Sequence, residues 1–210
     1  MTLPHWFAFL SVSLAATFSP GPAVLLAMST SMSIGARRAF FSSAGNGLGI
    51  FIVSCLAVTG AGILLRTSET AFSILKFAGA AYLIYLGLKQ LKPVAPSQPE
   101  LRPAANGTGR ALFLRGLLVA LSNPKSILFF SAVFPQFMDT VHPNPGQFFL
   151  LSLTFVACSF LAHFSYMMLA RGLSSGRLSG TTMRNVNLVS GVIFIGLGCA
   201  MLTLSAQPRM

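Results

Sequence analysis

The sequence predicts an all-α integral membrane protein: six transmembrane helices in two inverted three-helix repeats, the first helix of each broken by proline. Three observations carry this expectation: a scarcity of charge, six long apolar stretches, and proline breaks at matched places half a chain apart. Only 8% of the 210 residues are charged, and the mean hydropathy is +0.75. A soluble domain carries roughly 25% charged residues to face water, so a water-soluble enzyme of ordinary type is excluded, and no catalytic residue is assigned. The net charge of +11 arises because 14 bases meet only 3 acids. Those bases are scattered between apolar blocks and form no stripe, which argues against nucleic acid as a partner and for the lipid bilayer. Cys55, Cys158 and Cys199 lie inside apolar blocks. Their spacing makes neither a disulfide framework nor a metal site, and no cofactor is expected.

A crossing helix needs about 20 mostly apolar residues. Reading from charge to charge gives spans at about 7–28, between Arg38 and Arg66, and at 70–88, 116–134, 148–170 and 187–204. Helices are the expected form, because lipid offers the backbone no outside partner. The run Gly45-Asn-Gly-Leu-Gly49 superficially resembles a nucleotide-binding loop, but no strand precedes it, and close helix packing is the expected use. Met1–Trp6 holds no base, so the first span is read as retained rather than cleaved.

Arg37 and Arg38 lie in the first loop, Lys89, Lys92, Arg102, Arg110 and Arg115 in the third, and Arg171, Arg177 and Arg184 in the fifth. The opposite side has only Arg66 and Arg209, while Lys76 and Lys125 fall within spans. The positive-inside rule then places the odd loops in the cytoplasm and both termini outside. The chain divides into a first repeat over 1–91, a Pro-rich cytoplasmic linker over 92–115 and a second repeat over 116–210. The sequon Asn106-Gly-Thr108 falls on the cytoplasmic side and is discounted.

Phe18-Ser-Pro-Gly-Pro-Ala-Val-Leu-Leu26 in the first span matches Leu121-Ser-Asn-Pro-Lys-Ser-Ile-Leu-Phe129 in the fourth. Three spans per half is an odd number, so the second half must be inverted, as in secondary transporters. Proline lacks an N–H, and its ring clashes with the carbonyl four residues back. Pro20, Pro22 and Pro124 are therefore expected to free the carbonyls of Ala16, Phe18 and Ala120. A free carbonyl accepts an ammonium, and a restarted half-helix offers bare N–H groups to a carboxylate. An α-amino acid is a zwitterion that needs both. Prolines used only as packing kinks are the alternative, but the matched positions favour a site.

Lys125 sits near the middle of the fourth span, where a lysine costs roughly 2.5–3.5 kcal/mol. Such a residue faces the bundle interior and marks a pathway. Lys76, near a span start, suits headgroup contact instead. Asn46, among the glycines, suits a substrate contact or an interhelical hydrogen bond equally well.

At these residues the chain resembles a known family. Ser19-Pro-Gly-Pro22, Ser33-Ile-Gly35, Lys76-Phe-Ala-Gly-Ala-Ala-Tyr-Leu83, Leu86-Gly87, Asn123-Pro-Lys125 and Phe134-Pro-Gln-Phe137 look like the LysE-type translocators. Within that family the chain is most similar to the homoserine/threonine exporter branch, whose members often begin much like Met1-Thr-Leu3 and Trp6-Phe-Ala8. The resemblance implies a bacterial inner-membrane protein that exports amino acids and related metabolites, driven by the proton gradient. It assigns Pro20, Gly21, Pro22, Asn123, Pro124 and Lys125 to the substrate pathway. Many relatives carry a carboxylate after the span 2 glycines or late in span 5, where this chain has Gly49-Ile50 and Cys158-Ser159. Glu69, Glu100 and Asp139 all fall in predicted loops, so coupling through a midplane acid is not open to it.

His163 is the expected substitute, since among the span residues it alone titrates ordinarily near neutrality. Ser159 and Tyr166 share its helix face. A histidine bonded to a neighbouring backbone carbonyl is the structural alternative. A second function class is a transmembrane thiol–disulfide carrier using Cys55 and Cys158, which sit at nearly equivalent places in the two halves. Neither belongs to a Cys-x-x-Cys motif. A scaffold without transport explains neither Lys125 nor the matched prolines. Which metabolite is exported, and whether the protein is a homo-oligomer, are left open by the sequence.

Overall fold

A computed structural model describes residues 1–67, 69–91, 107–138, 144–174 and 180–203. Among these the regular elements are all helical: α1 (Leu3–Phe18), α2 (Pro22–Ile34), α3 (Ala36–Thr67), α4 (Glu69–Leu91), α5 (Gly109–Ser122), α6 (Pro124–Leu128), α7 (Pro145–Ser174) and α8 (Gly180–Thr203). The helix begun by α6 widens into a π turn over Phe129–Val133 and then tightens into a 3-10 turn over Phe134–Phe137. Pro135 explains the irregularity: it donates nothing to the Ser131 carbonyl, and its ring presses on that group. Most of the expected linker, 92–106, lies outside the described residues, as do the Lys76 side chain and Asp139.

Residues 36–60 of α3 and 145–170 of α7 are long and apolar enough to cross a membrane. The pairs α1–α2 and α5–α6 pass the same test when each is taken as one bent span, giving up to four. The exterior is apolar: Leu56, Ile74, Leu118, Leu153, Phe164 and Val192 are all more than half exposed. So many exposed large apolar side chains suit lipid rather than water. The protein is a multi-pass membrane protein.

Side-chain pairings fix the helix directions. From α1, Trp6 Nε1 donates to Thr154 Oγ1 at 3.2 Å, and the Tyr166 hydroxyl donates to the Phe18 carbonyl. Both pairs are 148 residues apart, so α1 and α7 run parallel. Between α3 and α7 the polar pairs are Ser43 with His163, Asn46 with Ser159 and Ser54 with Ser152. Partners step down α7 as they step up α3, so these two helices are antiparallel.

Glycines set the closest approaches. A Cβ on Gly45 would overlap the Phe113 carbonyl, and one on Gly116 would overlap that of Ser42. A Cβ on Gly49 would lie 2.6 Å from that of Ala120. The Gly45–Gly49 run is thus the seam on which α3 and α5 pack, as its small residues led us to expect. In the antiparallel pair α4–α8, a Cβ on Gly87 would lie 2.7 Å from the Gly191 carbonyl, and one on Gly198 would lie 2.8 Å from that of Ala80. Gly35 has another reason to be glycine. It ends α2 at φ 91°, a conformation that a side chain disfavours.

Candidate functional site

Both proline breaks fall within the bundle, and each bends its helix pair sharply, by 55° at α1–α2 and 50° at α5–α6. At the first break the chain is extended through Ser19 and Gly21 before Pro22 restarts the helix. At the second, extended Asn123 is shared between the two helix ends, and its Oδ1 accepts the Lys125 N–H at 3.1 Å. The freed groups are partly recaptured. The Ala120 carbonyl is not free: the helix end tightens, and the Asn123 N–H reaches it at 3.3 Å. The Phe18 carbonyl is freed by the break but covered by the Tyr166 hydroxyl. The exposed acceptor that draws a cation is Ser19, whose carbonyl takes the Lys125 Nζ at 2.7 Å.

A small cavity lies between the breaks, with about 30 Å³ of free space, enough for a water molecule or two. Gly21, Asn46, Asn123, Lys125 and His163 all line it, from four separate helix segments. Pro20, Pro22 and Pro124 do not; they act through the backbone they interrupt. Asn46 faces the cavity and also donates to Ser159 Oγ at 3.2 Å, so its two readings coexist. The partner of His163 Nδ1 is the Ser43 hydroxyl at 3.1 Å rather than a backbone carbonyl. Gly21 is extended, at φ −154°, and needs no glycine for its conformation. Its role is space: a Cβ there would stand 3.3 Å from the Lys125 Nζ.

Several participants, Ser43 beside His163 among them, escaped the sequence reading. Ser19 sits inside the Ser-Pro-Gly-Pro motif, but its carbonyl carried no signal of its own. Gln90, near the end of α4, donates to Ser19 Oγ at 2.7 Å. Ser126, one residue beyond Lys125, also lines the cavity. A polar residue inside an apolar span was the usable signal for Ser126. Gln90 lay beside loop lysines, and nothing distinguished it.

On the side of the N-terminus, a wider recess of about 440 Å³ is lined by Thr2, His5, Gln136, Phe137 and Gln147, among others. A chain of neighbouring rings runs from the central cavity to this recess. Phe155, which lines the cavity, packs tilted against Phe129 at 4.6 Å between ring centroids and edge-on against Phe130 at 4.8 Å. Phe9 touches Phe129, Phe134 and Phe137, and Phe137 meets His5 at the recess.

A family model described as LysE type translocator matches residues 14–205, nearly the whole of this bundle. The chain belongs to the LysE-type translocator family. Among its relatives, a homoserine/homoserine lactone efflux protein of Salmonella typhi is 38% identical over 94% of this chain and 96% of its own. A leucine efflux protein of Salmonella choleraesuis is 30% identical over 96% of each chain. An uncharacterized membrane protein of Vibrio cholerae is 32% identical over 98% of this chain and all of its own. No solved structure matches this translocator. Nothing in the family or the relatives supports a thiol–disulfide carrier. None of Cys55, Cys158 and Cys199 is in a disulfide, and Cys199 is exposed.

Proposed function

We propose that this translocator exports amino acids or related small zwitterionic metabolites from the cytoplasm, through the cavity between its two helix breaks. The observation that carries the reading is the meeting of Gly21, Asn123 and Lys125 at facing breaks, with the Lys125 ammonium on a carbonyl that one break exposes. The efflux activities in the names of its relatives support the direction and the substrate class. Untargeted metabolite measurement in the medium of expressing and non-expressing cells tests it. One or a few amino acids are expected to accumulate outside the expressing cells alone, and identical media would refute the reading.

The six-span inverted architecture is part of the proposal. Exchanging the two halves turns the parallel pair α1–α7 into α5–α3 and leaves the antiparallel pairs α3–α7 and α4–α8 unchanged. In this arrangement the N-terminal recess opens to the periplasm of a bacterial inner membrane, and the rings between Phe155 and His5 close the exit. The small cavity is then an occluded state, since an amino acid needs the half-helices to part. The ten-to-two split of basic residues supports cytoplasmic odd loops. A reporter active only in the cytoplasm is expected to work when inserted within residues 92–110 and to be silent after Arg209; the reverse pattern would overturn this orientation.

Export in this scheme is driven by protons, and His163 carries them. It lines the cavity beside Lys125, and Ser43 orients its ring. His163→Gln keeps a hydrogen-bonding side chain but removes the titrating group. Exchange of labelled for unlabelled substrate is expected to persist in this variant while transport driven by a pH gradient is lost. Undiminished pH-driven transport would remove His163 from the coupling path.

A further inference from the structure

The central cavity holds a cation and, among the described residues, no anion. Its polar lining comprises Thr17, Asn46, Asn123, Ser126, Ser159 and His163 around Lys125. The whole sequence has only three acids, Glu69, Glu100 and Asp139, and the described lining includes no carboxylate. A charge taken out of water must be paired or hydrogen-bonded. Lys125 meets part of that need by donating to the Ser19 carbonyl at 2.7 Å, and it rests against the bare Cα of Gly21. An ammonium has three donors, so capacity remains on the cavity side. In broken-helix transporters the unwound carbonyls hold a coupling cation, and half-helix N-termini face the substrate's carboxylate. Here a tethered ammonium already occupies such a carbonyl, close to the first turn of α2, where Ala23 and Val24 line the same cavity.

We infer that the Lys125 ammonium is the resident cation of this site: it holds the Ser19 carbonyl in place of a sodium ion and receives the carboxylate of the transported amino acid. The inference rests on the export reading only for the identity of the ligand as an amino acid. Two consequences follow from the charge arrangement. A ligand without a carboxylate leaves the cavity doubly cationic, because its own ammonium then faces that of Lys125 with nothing between them. A sodium ion at the Ser19 carbonyl would stand against the Lys125 ammonium already on it, like charge beside like charge, so sodium contributes nothing to binding or transport.

The test is a ligand-binding measurement on purified protein in detergent, independent of export. The probes are the proteinogenic amino acids and L-homoserine, each compared with its carboxyl-free alcohol or amide, in sodium and in choline buffer. At least one amino acid is expected to bind at least tenfold more tightly than its carboxyl-free analogue, equally in both buffers. Lys125→Met is expected to lose that preference. The wild-type comparison decides the matter alone should the variant fail to fold. Equal binding of acid and analogue, binding of no amino acid at all, a sodium requirement, or a folded Lys125→Met variant that keeps the preference would each overturn the inference. Selective binding of a carboxylate by a protein whose host cells export nothing would leave this site standing and defeat the export reading instead.

Discussion

Replacing Gly116 by alanine is expected to destabilise the protein by about 3 kcal/mol, the upper part of the usual range for overpacking a tight interface. The new methyl would overlap the Ser42 carbonyl, and a backbone atom cannot swing aside as a long side chain does. Relief requires α3 and α5 to separate along the whole Gly45–Gly49 seam, which also carries Asn46 into the cavity. Gly45→Ala meets the Phe113 carbonyl and is expected to behave alike. Gly60 and Gly196 have open space where a Cβ would stand. Alanine at those sites is expected to be neutral or slightly stabilising, because it favours the helix by about 0.5–1 kcal/mol. Thermal unfolding in detergent checks all four variants. The first two are expected to melt on the order of 10 °C lower, and equal melting of all four would show that the seam does not set the helix distance.

Pro124→Ala is expected to leave the protein inserted and folded yet lower export at least tenfold, about 1.4 kcal/mol in the transport barrier. Alanine restores an N–H that can take up the Ala120 carbonyl in a regular α-helical bond, in place of the 3.3 Å contact from Asn123. The two half-helices then run on as one, and the 50° bend relaxes. Asn123 leaves its extended cap position, so the Lys125 backbone N–H exchanges the Asn123 side chain for the Leu121 carbonyl and the lysine side chain no longer points at Ser19. Efflux rates at matched membrane levels check this. A variant that exports at the wild-type rate would reduce the break to a packing kink.

Much of this was legible in the sequence, for identifiable physical reasons. The helical membrane class follows from solvent: a chain with 8% charge cannot face water, and lipid leaves the backbone few choices. The breaks are legible because a missing N–H is a covalent property of proline, independent of tertiary context. Lys125 stood out because an ammonium among apolar residues needs a reason. The partners supplied from far along the chain were not legible. That Tyr166 covers the Phe18 carbonyl, or that Gln90 reaches Ser19, depends on helix packing that no local pattern encodes. The fate of the Ala120 carbonyl turned on a single tightened turn, below the resolution of any periodicity argument. The chain of rings was equally hidden, since phenylalanine is everywhere in the chain and the meeting of Phe129–Phe137 with Phe9 and Phe155 joins helices far apart in sequence.

The central claim is that transported amino acid passes through the cavity between the two breaks, and substrate protection of a cysteine placed there tests it most directly. Ser126→Cys puts a thiol on the cavity lining, in a background with Cys55, Cys158 and Cys199 replaced by alanine. Leu118→Cys, outside the cavity lining at 62% exposure on α5, serves as the control. During turnover a small charged thiol reagent is expected to modify Ser126→Cys and block export, and an excess of the exported amino acid is expected to slow that modification. Modification of Leu118→Cys is expected to be unaffected by the amino acid. A Ser126→Cys protein that exports normally once modified, or whose modification the amino acid does not slow, would contradict the account.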